Sequence, residues 1–165
     1  MSNSEKENLC KPILSELRNI SLFSNLEESE LKEILEHSKI NKFKKGEILF
    51  LAQEEVFNLY ILIEGSVKIF ALDEDGNESS LQLIDNKTFI NDVFSDKFQT
   101  SAQILEDSQI ALIPITQFRK YAQSSLTLSN NILRETSLKN TRLLNQLPNL
   151  KLNNSIKKVG QFLLE

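Results

Sequence analysis

The chain has 165 residues, 40% hydrophobic and 25% charged, with a formal net charge of -4. This composition is typical of a globular domain with a self-sufficient core, and it excludes the disordered class. The acidic balance also excludes a surface wholly devoted to nucleic acid, because phosphate binding needs concentrated Lys and Arg.

Cysteine content and hydropathy narrow the class further. The chain contains one cysteine, Cys10, so it cannot form an internal disulfide or hold a four-cysteine iron-sulfur cluster. The N-terminal residues include no signal-type apolar run, and no stretch approaches the roughly 18 apolar residues of a membrane span. We therefore expect a cytoplasmic protein that makes no membrane contact.

Two short amphipathic helices are predicted ahead of the first strand. The first covers residues 12–20 and has its apolar residues at spacings of three and four, with Pro12 in the first turn. For the second helix, Asn25 is the predicted N-cap, with Glu28 three residues later. The apolar stripe of this helix is formed by Leu26, Leu31, Ile34 and Leu35.

Residues 43–72 are the β-rich centre of the chain. Two apolar runs, 47–51 and 57–63, are followed by Glu64-Gly65 and then by alternation at Val67, Ile69 and Ala71. This pattern predicts successive antiparallel strands with a break at the glycine. Gly46 and Gly65 are placed where the backbone needs a positive φ.

These residues resemble a known family. The ordered set Gly46-Glu47-x-x-Phe50, then Tyr60 with the apolar run 61–63, then Glu64-Gly65-x-Val67-x-Ile69 is similar to the opening strands of the cyclic-nucleotide-binding roll of Crp/Fnr transcription regulators. The resemblance runs from about Ser21 to the end. It implies a mainly β fold with flanking helices, a jelly-roll (double-stranded β-helix) sensor followed by a long dimerisation helix. Gln53 stands where the family usually has glycine, so strain is expected there.

Short strands are predicted to continue as far as Pro114. Residues 73–78, with Asp75-Gly76 at the turn, form a predicted hairpin connection. The residues expected to face inward are Leu81, Leu83, Phe89, Ile104, Ile110, Leu112 and Ile113.

After Pro114 the apolar period changes to that of a helix. A short helix is predicted over residues 116–124 and a long one over 126–147. The long helix carries a heptad seam, with Ser137 between its apolar members. The seam residues are Leu126, Leu133, Asn140, Leu144 and Leu147. Pairing of two copies in parallel would cover the seam and place Asn140 against its partner; the alternative is that the stripe packs on the roll of its own chain. The resemblance favours a homodimer.

Pro148 is predicted to end the long helix, and Asn153 or Asn154 to cap a new one. In the family this new helix opens a winged helix-turn-helix DNA-binding domain. The predicted organisation is therefore an N-terminal helix (1–20), a sensor roll (21–124), a dimerisation helix (125–152) and the truncated start of a DNA-binding domain (153–165).

The resemblance also locates a candidate effector pocket. The family's nucleotide cassette, Phe-x-Gly-Glu followed by Arg-Ser/Thr-Ala, falls on residues 89–94 and 100–102. Asn91 replaces the glycine, Asp92 the glutamate and Thr100 the arginine, and only Ser101 matches. The two hydroxyl residues that approach the base fall on Leu143 and Leu144. Without a guanidinium, a buried phosphate lacks its partner charge, which argues against cAMP.

Haem or another apolar effector is the alternative that gas-sensing members of the family imply. Haem iron needs an axial ligand, and the candidates are His37, Cys10 and the N-terminal amine of a partner chain. His37 is a weak candidate, because it ends a helix where a solvated histidine is favoured. Cys10, beside Lys11, is either an inert thiol or a redox sensor.

Enzymes form the competing class. With one histidine and four glycines, the chain offers no catalytic constellation and no phosphate-binding loop. We therefore expect a non-enzyme, the sensor and dimerisation region of a Crp/Fnr-type regulator. Such a regulator would reach promoter DNA and RNA polymerase through its missing C-terminal domain. The alternatives are a stand-alone cyclic-nucleotide-type module without DNA binding, and an empty pocket with regulation by redox state or a protein partner.

Overall fold

The computed structural model describes residues 16–73, 75–85 and 87–141. The predictions for the segments 1–15 and 142–165 therefore lie outside the described residues. They concern Cys10, Pro12, Leu143, Leu144, Leu147, Pro148 and the helix after Asn154.

The described part contains a six-stranded antiparallel sheet. Its order is β1-β6-β3-β4, with β2 paired to β6 and β5 paired to β3. The strands are β1 (Lys39–Phe43), β2 (Ile48–Phe50), β3 (Asn58–Leu72), β4 (Glu78–Ile84), β5 (Thr88–Phe89) and β6 (Ser101–Pro114). The long strands β3 and β6 form the central pair, and their inward side chains, such as Leu59 and Ile110, are fully buried.

The predicted break at Glu64-Gly65 is wrong. Strand β3 runs through it as one strand of 15 residues, and its register against β6 shifts between Leu62 and Val67. Gly65 has φ +103° within this bulge, which confirms the predicted positive φ. A Cβ there would lie 2.7 Å from Ser108 Cβ and 2.8 Å from Ser108 Cα. The glycine therefore serves the close approach of two strands, not a chain reversal.

Strand β4 forms an edge of the sheet, and this corrects two predicted core residues. Leu81 and Leu83 are 46% and 56% exposed. The register shifts here as well, because Ile69 pairs with Gln82 while Phe70 pairs with Ser80, which leaves Leu81 as the extra residue. The other predicted inward residues, such as Phe89 and Ile104, are buried, except Leu112 on β6, which is partly buried.

The hairpin predicted over residues 73–78 is confirmed as the β3–β4 connection. The Asp73 carboxylate accepts hydrogen bonds from the backbone N–H groups of Asp75 (3.0 Å) and Asn77 (2.8 Å). Gly76 has φ +81°, which suits the turn.

Helices flank the roll at both ends of the described part. They include a helical turn at 16–18, a 3-10 turn (Ser21–Phe23), α1 (Glu28–Glu36), α2 (Ile115–Ser124) and α3, described over 126–141. The N-cap of α1 is Glu27, in a capping box with Glu30, so the prediction of Asn25 was wrong. Asn25 instead has φ +61°, a conformation that asparagine tolerates better than most residues.

None of the helices in the described ranges is long and apolar enough to cross a membrane.

Candidate effector site

The cassette loop, residues 90–100, joins β5 to β6 and is held against the turn at 52–56. Gln53 N–H donates to Phe98 O at 2.8 Å, and Phe98 N–H donates to Glu54 O at 3.0 Å. Val56 N–H donates to Asp96 O at 2.9 Å. The two loops therefore form a small hydrogen-bonded unit at one end of the roll.

The strain expected at Gln53 is present, because this residue has φ +71°. A non-glycine residue is costly in this left-handed region. The hydrogen bond between Gln53 and Phe98 fixes the unfavourable conformation.

Asn91 is buried and bridges the cassette loop to β3. Its Oδ1 accepts from Tyr60 N–H at 2.8 Å, and its Nδ2 donates to Asn58 O at 3.1 Å. A glycine at this position has no side chain to make either bond. The asparagine side chain therefore fixes the start of the loop against β3.

The other cassette residues have distinct environments. Asp92 is exposed, and its carboxylate accepts from Phe94 N–H at 2.9 Å in a local turn. Thr100 is half-buried. Ser101 is 3% exposed, and its hydroxyl oxygen accepts from Ala52 N–H at 3.0 Å. The loop thus brings the four predicted cassette residues to one end of the roll, and three of them bind polar groups of their own chain.

Three aromatic rings fill the roll beside Ser101. Phe50 and Phe98 are stacked with centroids 3.9 Å apart, and Tyr60 lies 5.5 Å from Phe50. Burial raises the pKa of the Tyr60 phenol above its ordinary value. Phe50 and Phe98 are both buried, so apolar side chains occupy this end of the roll.

Sequence reasoning missed two cations that contact the cassette. Arg119 on α2 donates to Val93 O and Ser95 O, each at 2.9 Å. Lys139 on α3 donates to Phe89 O at 3.2 Å, and its ammonium lies 3.4 Å from the centroid of the Phe89 ring. The sequence shows only that Arg119 and Lys139 lie on predicted helices that follow the roll. It does not show which loop or ring each side chain contacts.

Helix α3 has two opposite faces. Leu128, Asn131 and Ile132 are buried against the chain, and Asn131 Nδ2 donates to Leu22 O (3.1 Å) and Ser24 O (2.8 Å). On the other side, Leu126 and Leu133 are 77% and 68% exposed. Residues seven apart lie within about 20° around a helix, so the described half of the predicted seam points away from the roll. Of the seam leucines in the described range, Leu126 and Leu133 are thus not buried against the roll.

His37 lies at the C-terminal end of α1, outside the roll, and is exposed. Its Nδ1 is 3.1 Å from the hydroxyl of Tyr121 and 3.3 Å from Glu33 O. Within the described ranges, no group of three or more His, Cys, Asp or Glu residues is placed to hold a metal ion.

Two cavities occur elsewhere in the described part. A small one of about 40 Å³ lies between α1 and α2, beside Ile34 and Tyr121. An open groove of about 280 Å³ runs over β1, beside Lys42 and Lys44. The Lys44 ammonium binds Asp107 at 2.6 Å and holds the pKa of that carboxyl below its ordinary value. Neither cavity is lined by cassette residues.

An antiparallel roll with such a loop and a helix packed beside it defines a regulatory β-roll domain of the cyclic-nucleotide-binding type. The family model described as "Cyclic nucleotide-binding domain" matches residues 40–125, more than half of the chain. The chain belongs to this family, and its resemblance to Crp/Fnr regulators is confirmed.

Curated relatives of the chain are transcription regulators. It is 28% identical to the cAMP-activated global transcriptional regulator CRP of Pasteurella multocida, over 81% of this chain and 66% of that protein. It is 32% identical to the fumarate and nitrate reduction regulatory protein of Vibrio cholerae, over 54% of this chain and 37% of that protein. The chain thus spans less than two thirds of either relative.

A solved structure shows the same fold. The sensor domain of the transcriptional regulator DNR from Pseudomonas aeruginosa superimposes with a TM-score of 0.73 at 23% identity, covering 86% of this chain and 95% of that one. The match supports the predicted mainly β roll with flanking helices.

Proposed function

We propose that this chain is the sensor and dimerisation region of a Crp/Fnr-type transcription regulator that couples an effector other than cAMP to DNA binding. The observation that carries the proposal is the two-faced helix α3. One face buries Leu128 and binds the 21–24 turn through Asn131, while the other exposes Leu126 and Leu133.

The exposed face of α3 is proposed to pair with a second copy. Burying a leucine is worth about 1.5–3 kcal/mol, so exposed leucines in heptad register favour association. Asn140 is exposed on the same side and would meet its partner across the seam, which fixes the register. Leu144 and Leu147 extend the proposed seam beyond the described residues.

Sedimentation equilibrium with a matched pair of variants tests this interface. Leu133→Asp places a charge in the seam, whereas Leu138→Asp changes a leucine that is 45% exposed and lies about 140° around the same helix. We expect the wild type and Leu138→Asp to be dimers and Leu133→Asp to be a monomer. A monomeric wild type at micromolar concentration, or equal effects of the two variants, contradicts the proposal.

The cassette loop is the proposed effector site, formed by Asn91, Asp92, Thr100 and Ser101 together with Leu143 and Leu144 of the long helix. Thr100 supplies no charge for a phosphate, and Asn91 and Ser101 bind the backbone of their own chain. The adjacent Phe50 and Phe98 rings are buried and make the surroundings of the loop apolar. A small apolar effector fits these properties better than a nucleotide.

The output of the sensor is proposed to be a change in how two copies of α3 cross. Such a change would re-aim DNA-binding domains that follow residue 153, and it would shift the balance between two existing arrangements of one fold. Promoter DNA and RNA polymerase are thus the proposed partners of the whole regulator.

A further inference from the structure

One side chain binds the cassette loop to helix α2 at three points. Arg119 Nε and Nη2 donate to Val93 O and Ser95 O at 2.9 Å each, and Nη1 donates to Asp96 Oδ1 at 3.0 Å. The planar guanidinium fixes the direction of two carbonyl groups together, which a lysine ammonium does not do. The Asp96 side chain is 90% exposed, so its ion pair contributes little and the carbonyl bonds hold the loop.

Helix α2 leads into α3 through a single residue, Ser125. Its N–H donates to Tyr121 O at 2.9 Å and closes α2. Its carbonyl oxygen accepts from Ser129 N–H at 3.0 Å, and its hydroxyl accepts from Leu128 N–H at 3.3 Å, so the same residue caps α3. A rotation of α2 therefore displaces the first turn of α3.

Both helices also hold one turn of the chain, residues 21–24. Phe118 of α2 packs edge-on against Phe23, with ring centroids 6.4 Å apart. Asn131 of α3 donates to the carbonyl groups on either side of Phe23, those of Leu22 and Ser24. Since both helices contact the same turn, their positions relative to each other are fixed.

We infer that Arg119 is the positioning residue that couples the cassette loop to the long helix. A change in the loop alters the orientation of the Val93 and Ser95 carbonyl groups, which shifts Arg119, then α2, and through Ser125 the start of α3. This inference rests on the proposed function in placing the effector at the loop. The coupling itself exists without an effector and is tested without one.

Hydrogen exchange followed by mass spectrometry on the 165-residue protein measures this coupling. In Arg119→Ala we expect exchange to rise on the order of tenfold at the loop amides, such as Phe94 and Phe98, because local stability falls with the lost bonds. We expect a rise in residues 126–132 as well. Two controls should leave both regions unchanged: Asp96→Asn, which removes only the exposed ion pair, and Lys120→Ala, which removes the neighbouring exposed cation of α2.

The pattern of exchange decides the outcome. A rise in the loop alone makes Arg119 a local clamp and overturns the inference, as does no rise in either region. If Arg119→Ala also raises exchange at the β3 amides 59–62, the variant to compare is Arg119→Lys. This variant keeps the charge and most of the aliphatic side chain but lacks the planar guanidinium. In that variant, a rise in loop and helix with β3 unchanged supports the inference, and any other pattern overturns it. Sedimentation of each variant separates this result from a failure of the proposed dimer.

Discussion

The hydroxyl oxygen of Ser101 accepts a hydrogen bond from the backbone N–H of Ala52 at 3.0 Å, and Ser101 is 3% exposed. Ser101 is the one polar position at which this chain matches the nucleotide cassette of its family. Its hydroxyl supports the turn that leads to Gln53, so the matching residue has a structural role in this chain.

Ser101→Ala is expected to destabilise the fold. The substitution removes the hydroxyl that accepts from the N–H of Ala52, and the loss of a hydrogen bond of this kind costs about 0.5–1.5 kcal/mol. Urea denaturation gives this change directly. Ser79→Ala, an exposed serine on the edge strand β4, is the control and should stay within about 0.5 kcal/mol of the wild type. Equal effects of the two would contradict the role assigned to Ser101.

Gln53→Gly is expected to stabilise the protein by about 0.5–1 kcal/mol in the same assay. Its φ of +71° lies where a side chain is strained, and glycine removes that strain at some cost in unfolded-state entropy. Asn25→Gly is the matched control, because asparagine tolerates its φ of +61° and should gain less. A loss of stability in Gln53→Gly would show that the side chain, not the backbone, matters at this turn.

Gly65→Ala is expected to cost more than about 3 kcal/mol, since it combines an unfavourable φ with a clash against the neighbouring strand. The new Cβ would lie 2.8 Å from the Cα of Ser108. Since this is a backbone atom, a side-chain rotation cannot relieve the clash. Gly46→Ala is the control that measures the cost of the backbone conformation alone. Its φ is +90°, and a Cβ added there would meet nothing within 4 Å. A loss of about 1–2 kcal/mol in the free energy of unfolding is expected. Thermal or urea unfolding of the pair checks the difference, and similar losses would refute the close-approach explanation.

The β3–β4 hairpin is expected to loosen in acid. Hydrogen bonds from Asn77, from its side chain first and then its backbone, lower the pKa of Asp73 below its ordinary value. The folded hairpin thus favours the ionised carboxylate. Its stabilising effect is complete above the unfolded pKa of about 3.9 and is lost as pH falls through the lower folded value.

The Asn77 side-chain amide signal in NMR spectra should report this titration. We expect it to stay constant at neutral pH and to move only below about pH 4. In Asp73→Asn the movement should vanish. A midpoint above the ordinary aspartate value would contradict the assigned hydrogen bonds.

Local sequence patterns predicted the fold correctly where a pattern is compatible with only one kind of local structure. Alternation and the apolar spacing located the strands and helices, and the need for positive φ was correctly placed at Gly65. A positive φ serves a bulge as well as a turn, however, so the continuity of β3 could not be predicted. Alternation also does not tell which strand forms an edge, and for that reason Leu81 and Leu83 were misplaced.

The candidate site was less predictable because its contacts join distant parts of the chain. The cassette positions were implied by the family resemblance. The hydrogen bonds of Arg119 to Val93 and of Lys139 to Phe89 depend on how the helices pack, which no local pattern encodes. The N-cap of α1 was missed for a different, local reason, since Glu27 competes with Asn25 and the capping box with Glu30 decides between them.

Isothermal titration calorimetry with cAMP shows whether this roll, which keeps the family fold, still binds a cyclic phosphate without a guanidinium. With Thr100 in place of the guanidinium, we expect no saturable heat at concentrations up to about 1 mM. The cAMP-activated regulator of Pasteurella multocida serves as the positive control. Binding of one cAMP per chain with a micromolar dissociation constant would contradict the account.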